Sequence, residues 1–237
     1  LGKIAFESNT AAYFQELQKK WFDYWLKDIG DGKFDEAYSF QTGSNQWKTY
    51  NAWPPKQAIP KKLYTHANHT CSFTKPVAAN TFVSYISDPA KPVPYRELPI
   101  EATYGTGSRW RTWHPNDQRF AYTRPDVVSF TLDTLTEDLT VTGKIIAHVF
   151  ASTTGTDADW IVKLIDVYPE YDKKSLGMSG YQFPVAMEVF RGRFRKSFEN
   201  PVALVPGKAE EFIIDLHDIN HTFKKGHRVM IQIQSTW

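Results

Sequence analysis

Residues 126–170 read DVVSFTLDTLTEDLTVTGKIIAHVFASTTGTDADWIVKLIDVYPE, and this stretch decides the fold class. From Leu139 to Ala151, the apolar Leu139, Val141, Ile145, Ala147 and Val149 fall at alternate positions. Thr140, Thr142, Lys144 and His148 stand between them. A period of two residues is the mark of a strand with one face buried. From Asp159 to Tyr168 the apolar residues are denser, which suits an inner sheet face. Between the two runs, Ser152–Asp157 is polar and carries Gly155 where the chain must turn. Both a hairpin and a crossing between two sheets fit that connection. In either case the pair forms the centre of an all-β domain.

Working outward, residues 171–181 carry Gly177 and Gly180 and read as a loop. Pro184–Arg195 reads as a strand with Arg191, Arg193 and Arg195 on one solvated face. Glu211–Leu216 is a further strand, Asn220–His227 a turn, and Arg228–Ser235 a final strand in which Val229, Ile231 and Ile233 alternate with Met230, Gln232 and Gln234. Towards the N-terminus, a short strand begins at Ala37. Lys62–His66, Cys71–Phe73 and Asn80–Ser87 are further strand candidates. Residues 87–95 are proline-rich and read as an extended surface segment. Ahead of all these, Phe14, Leu17, Trp21 and Trp25 recur at helical spacing, joined by Tyr13 and Tyr24. They predict one amphipathic helix over 10–27. Asn9 or Thr10 can cap its start, and Gly30-Asp31-Gly32 is expected to end it.

The bulk properties agree with a β-rich chain. It has 237 residues, 41% of them hydrophobic, with 8 Trp, 12 Tyr and 16 Phe. Aromatic residues at this density favour pleated structure. Its net charge is +2 and its basic residues are scattered, so it lacks the clustered basic face of a nucleic-acid binder. No apolar run is long enough to span a bilayer as a helix. The single cysteine, Cys71, permits no internal disulfide and leaves the redox compartment open. The chain opens Leu-Gly-Lys and is read as part of a longer protein.

A set of residues able to make and break bonds is missing. A serine hydrolase needs a nucleophile on a tight elbow, a histidine base and an acid to orient it. No G-x-S-x-G occurs; Ser179 lies near Gly177 and Gly180 but with the wrong spacing. His66 and His69 have no acidic or thiolate neighbour, and His217 and His221 do not form H-E-x-x-H. Asp157 and Asp159 fall short of a calcium loop, and Gly105-Thr106-Gly107 precedes no helix that could hold phosphate. No metal and no cofactor is expected.

One loop stands out. Residues 105–119, GTGSRWRTWHPNDQR, are too polar for a core strand and too rich in large rings for a plain connection. Trp110 and Trp113, beside Arg109 and Arg111, suit an apolar pocket with polar edges. They equally suit a structural plug at the base of the domain, and residue types alone favour the plug.

ASTTGTDADWIVKLIDVYPE (151–170), RPDVVSFTLDTLTEDLTVTG (124–143), FRGRFRKSF (190–198) and GHRVMIQIQS (226–235) resemble the C-terminal domain of the cocaine esterase and X-Pro dipeptidyl-peptidase serine hydrolases. Within that group the chain is most similar to the α-amino-acid ester hydrolases and glutaryl-cephalosporin acylases. The resemblance implies a jelly-roll β-sandwich of the galactose-binding-like type over 37–237, shortened at its C-terminus. It also implies that 1–36 is the last helix and linker of an α/β-hydrolase domain whose catalytic serine, aspartate and histidine precede Leu1. Trp110, Trp113, Asp117, Gln118 and Arg119 match the W-x-x-W-x-x-x-D-Q-R segment that faces the cleft in that family. There Trp110 and Trp113 would enclose the acyl side chain, with Arg111, Asp117, Gln118 and Arg119 as the supporting loop. The partners so implied are the α/β-hydrolase domain and a small acyl ester, amide or peptide substrate, in a parent compatible with export to the periplasm. By itself the chain is expected to be inactive. The alternatives are a carbohydrate-binding module, with Trp47, Trp53 and Trp110 as a stacking platform, and a purely structural or oligomerising sandwich.

Overall fold

The computed structural model describes residues 2–77, 81–100, 104–108, 112–173 and 175–237. It is an all-β sandwich preceded by one long helix, as expected. In chain order the elements are α1 (Thr10–Lys27), β1 (Ala37–Gln41), β2 (Gln46–Tyr50), β3 (Tyr64–Thr65), β4 (Cys71–Ser72), α2 (Arg119–Tyr122), β5 (Val127–Thr131), β6 (Leu139–Ala151), β7 (Asp159–Val167), β8 (Gln182–Arg191), β9 (Glu210–Phe223) and β10 (Arg228–Gln234).

One layer is the antiparallel sheet β5-β10-β7-β8, and the other is the long ribbon β6-β9. The link Ser152–Ala158 is therefore a crossing between sheets, because β6 pairs with β9 while β7 pairs with β10 and β8. Between the layers, Trp160, Val162 and Leu164 of β7 meet Phe212, Ile214 and Leu216 of β9. Leu139, Val141, Ile145, Ala147 and Val149 pack against the same core, so the alternation of β6 holds as expected. The other face of β7 is covered as well. Ile165 and Val167 join Met230, while Met178, Tyr181 and Phe183 form a neighbouring cluster with Ile4. Two covered faces explain why Trp160–Val167 is buried throughout.

Helix α1 has the expected bounds. Asn9 caps it, its Oδ1 accepting from the Ala12 N–H at 3.2 Å. It ends at Asp28 and not at the glycine pair: Asp28 adopts a left-handed conformation, and its N–H returns to the carbonyls of Asp23 and Tyr24.

Several strand expectations need correction. β9 does not stop at Leu216. A bulge sits opposite Ile145, where Lys144 pairs with Asp218 and Ile146 with Asp215, and His217 there takes a φ of 65°. Beyond it Asn220, His221 and Thr222 look like turn residues but stay in the ladder with Thr142, Val141 and Thr140 of β6, and the end of β1 supplies further partners. Gln41 donates to Asn220 at 2.9 Å, and the Thr42 and Thr222 backbones bond. Gly43 makes that approach possible, since a Cβ there would stand 2.0 Å from the Thr222 carbonyl oxygen.

β8 ends at Arg191, where Gly192 packs under the Ala158 carbonyl. Arg191, Arg193 and Arg195 therefore share no strand face. They pair separately with Asp159, Asp157 and Glu210, and Arg195 also clamps the carbonyls of Gly192, Val202 and Ala203. Residues 81–87 form no ladder; Val83 and Tyr85 pack side-on against the Val128–Phe130 cluster, and Asn80 lies outside the described residues. Val93 is buried with Ala121 and Val127, so residues 87–95 are anchored and not wholly on the surface.

Candidate functional site

The resemblance pointed to residues 110–119, of which the described residues 112–119 form a rim over the outer face of the four-stranded sheet. Trp110 and Arg111, like Arg109, lie outside the described residues. Trp113, Asp117, Gln118 and Arg119 are described, and they divide by role.

Trp113 is half-buried in an aromatic group. Its ring centroid is 6.4 Å from that of Tyr95 and 5.8 Å from that of Trp237, and the His114 ring lies at 3.9 Å. The indole is thus held by rings from two distant parts of the chain. Neither Tyr95 nor Trp237 carried any signal in the sequence as its neighbour.

Asp117, Gln118 and Arg119 are the anchor. Asp117 Oδ1 accepts from the backbone N–H of Gln182 and of Arg119, both at 3.1 Å, while Oδ2 takes the Arg119 guanidinium. The Gln118 N–H donates to the Gln182 carbonyl at 3.0 Å, so the segment docks on the first residue of β8 through one backbone bond and one bond to the Asp117 carboxylate. Arg119 reaches on to the Ser179 carbonyl at 3.2 Å. The Tyr181 hydroxyl donates to the Pro115 carbonyl, and burial together with the Asp117 charge pushes that phenol well above its ordinary range. These groups fix residues 115–119 on the scaffold.

A hydroxyl–imidazole–carboxylate line lies elsewhere in the chain. Thr42 Oγ1 is 2.7 Å from His221 Nδ1, and His221 Nε2 is 3.2 Å from Asp166 Oδ2. His227 Nδ1 bonds the other carboxylate oxygen at 2.8 Å. The line is sunk in the sandwich, with His221 1% and Asp166 0% exposed, and both ring nitrogens of His221 are already engaged. It ties β7, β9 and the turn before β10 together and serves as a structural lock. Ser179 holds a turn, its Oγ accepting from the Asp172 N–H.

His66 and His69 bond separately, to Ser72 and to the Ser129 carbonyl. Among the described residues no group of three or more His, Cys, Asp or Glu side chains is placed to hold a metal ion. Of the three tryptophans in the stacking-platform alternative, Trp110 lies outside the described residues. Trp47 stacks on Tyr13 at 4.3 Å, and Trp53 donates to Asp218 at 3.1 Å.

With this geometry in hand, comparison with protein families gives one decisive result. The X-Pro dipeptidyl-peptidase C-terminal non-catalytic domain matches residues 23–236. The chain belongs to this family.

Other members of wider kinship agree. Cocaine esterase from Rhodococcus sp. (strain MB1 Bresler) is 27% identical over 230 residues, covering 93% of this chain and 38% of the esterase. Among solved structures, an aminopeptidase from a marine sediment archaeon, Thaumarchaeota archaeon, superposes with a TM-score of 0.94 at 40% identity, over 99% of this chain and 38% of that one. An α-amino acid ester hydrolase gives 0.93 at 41% identity, over 100% and 39%. The chain thus spans a little over a third of each of these relatives. Membership of a non-catalytic domain family accords with a serine, two histidines and an aspartate all committed to holding the fold.

Proposed function

We propose that this chain is the accessory domain of a larger serine hydrolase acting on acyl esters, amides or peptides, and that its 110–119 rim walls the substrate cleft. The observation that carries the reading is α1. None of its residues is buried, and Trp21, Trp25 and Leu26 remain 46%, 60% and 73% exposed. Scattered apolar residues on a surface need no explanation, but an aromatic stripe along one helix does. A catalytic domain in the same polypeptide is the partner that would cover it, with 1–36 belonging to that domain and 37–237 forming the sandwich.

The chemistry would then reside on the neighbour, as an acyl-serine intermediate formed and hydrolysed there. The rim would contribute apolar contact from Trp113 and Trp110. Asp117, Gln118 and Arg119 would keep those rings at a fixed height, and Arg111 would stand at the polar edge. Contact of this kind discriminates acyl side chains by size and shape, at about 10- to 200-fold per well-packed group.

In the full-length hydrolase, Trp113→Ala and Trp110→Ala are expected to change the ratio of kcat/KM between phenylalanine methyl ester and glycine methyl ester by about tenfold or more. The unfolding midpoint should move less than selectivity does. An equal loss on both esters, together with loss of folding, would mark the indoles as plugs and overturn the reading.

A further inference from the structure

Lys163 lies in the middle of β7, between Val162 and Leu164, and is 0% exposed. Its side chain leaves the sheet on the face beneath the rim, where the ammonium donates to Gln118 Oε1 at 3.0 Å. Among the described residues no carboxylate pairs with it. Burial alone pushes this ammonium down to about 8, with no neighbouring charge to offset it.

The row across the sheet is equally polar. Ser129 of β5, Gln232 of β10 and Lys163 stand abreast by register. The Ser129 hydroxyl and the side-chain carbonyls of Gln232 and Gln234 are buried without hydrogen-bond partners. A lone buried ammonium and orphaned acceptors weaken a fold, and an apolar side chain of similar length would pack there at lower cost. Departures of this kind concentrate at functional sites.

What the ammonium does is visible in the next bonds. By holding Gln118 Oε1, it aims Gln118 Nε2 at the Asn116 carbonyl, 2.8 Å away. Asn116, with its amide oriented to suit its neighbours, donates to the Thr112 carbonyl at 2.8 Å and accepts from Arg96 Nε at 3.2 Å. The Asn116 N–H donates to the carbonyl of Trp113 at 3.1 Å. An unbroken hydrogen-bonded chain thus runs from the centre of the sheet to the backbone carbonyls of Thr112 and of Trp113, the residue that bears the indole.

We propose that Lys163 is a positioning residue for the rim: through Gln118 and Asn116 it fixes where the Trp113 indole stands, and so which acyl side chains the whole hydrolase accepts. This rests on the cleft-wall reading above and adds to it a residue that touches no substrate.

The test uses the full-length hydrolase with phenylalanine methyl ester and glycine methyl ester as probes. Lys163→Met is expected to keep or raise the unfolding midpoint while changing the kcat/KM ratio of the two esters by about tenfold or more, the scale of an altered apolar contact in a pocket. Lys163→Arg, which keeps a donor, should recover most of the original ratio. If Lys163→Met does not fold, the ratio in Asn116→Ala, further along the same chain of bonds, decides: a changed ratio supports the proposal and an unchanged one overturns it. An unchanged ratio in folded Lys163→Met also overturns it, and Trp113→Ala then separates the two ideas. If Trp113→Ala shifts the ratio, the cleft-wall reading survives without Lys163. If it does not, both fall.

Discussion

Replacing Asp166 with alanine should destabilise the chain by about 3–5 kcal/mol at neutral pH, the range for removing one partner from a buried charged hydrogen-bonded group. A domain of this size is stable by only about 5–15 kcal/mol, so the variant would stand near the edge of folding. Asp166 is 0% exposed and takes one bond from His221 and one from His227. Its removal strands both imidazoles and releases the lock between β7, β9 and β10. Burial works to raise the carboxyl, but the bonds from the two imidazoles outweigh it and hold the group below the ordinary carboxylate range. The sign of the pH dependence follows. A depressed folded-state value contributes stability that is fully present above the unfolded value of about 3.9, and that stability is lost as pH falls through the folded value. The gap in urea midpoint between the native chain and Asp166→Asn should therefore be wide at pH 7 and should narrow progressively as the pH falls below about 3.9. A gap of constant width would assign the lock to packing and not to charge.

Phe212→Ala should cost a similar amount, about 3–5 kcal/mol, by opening a cavity in the middle of the sandwich. Phe212 is 1% exposed, and its ring lies 4.0 Å from Trp160 and 6.2 Å from Phe190, joining β9 to β7 and β8. Its neighbour Ile213 is 56% exposed on the outer face of the ribbon, and Ile213→Ala should stay within about 0.5 kcal/mol. Two adjacent residues would thus differ by several-fold in effect. Equal losses in urea titrations would contradict the facing assigned to β9.

The contrast between these neighbours shows how far the sequence can be read. Period-two alternation placed β6 because one of its faces meets the core and the other meets solvent. The spacing of Phe14, Leu17, Trp21 and Trp25, with Asn9 as cap, likewise set both ends of α1. Where a strand is covered on both sides or bent by a bulge, the pattern fails for physical reasons. Met230, Gln232 and Gln234 are buried although they occupy the more polar face of β10, because the rim and its neighbours roof that side. Asn220–Thr222 remain in the ladder because Thr140–Thr142 of β6 pair with them, while the end of β1 meets them from far away in the chain. The site was legible to a different depth. The Asp117-Gln118-Arg119 triplet drew attention through resemblance, yet nothing local showed that Lys163, Gln182 and Tyr181 would be its anchors. A lysine in the apolar run Ile161–Ile165 was the one available hint, and reading it required knowing what lay above β7.

The central claim is that this chain shapes a cleft and performs no bond chemistry. Hydrolysis by the 237-residue polypeptide alone tests it most directly. With phenylalanine methyl ester the release of acid should equal the buffer rate, and a fluorophosphonate probe should label no serine. Turnover above buffer that the same probe abolishes would contradict the account.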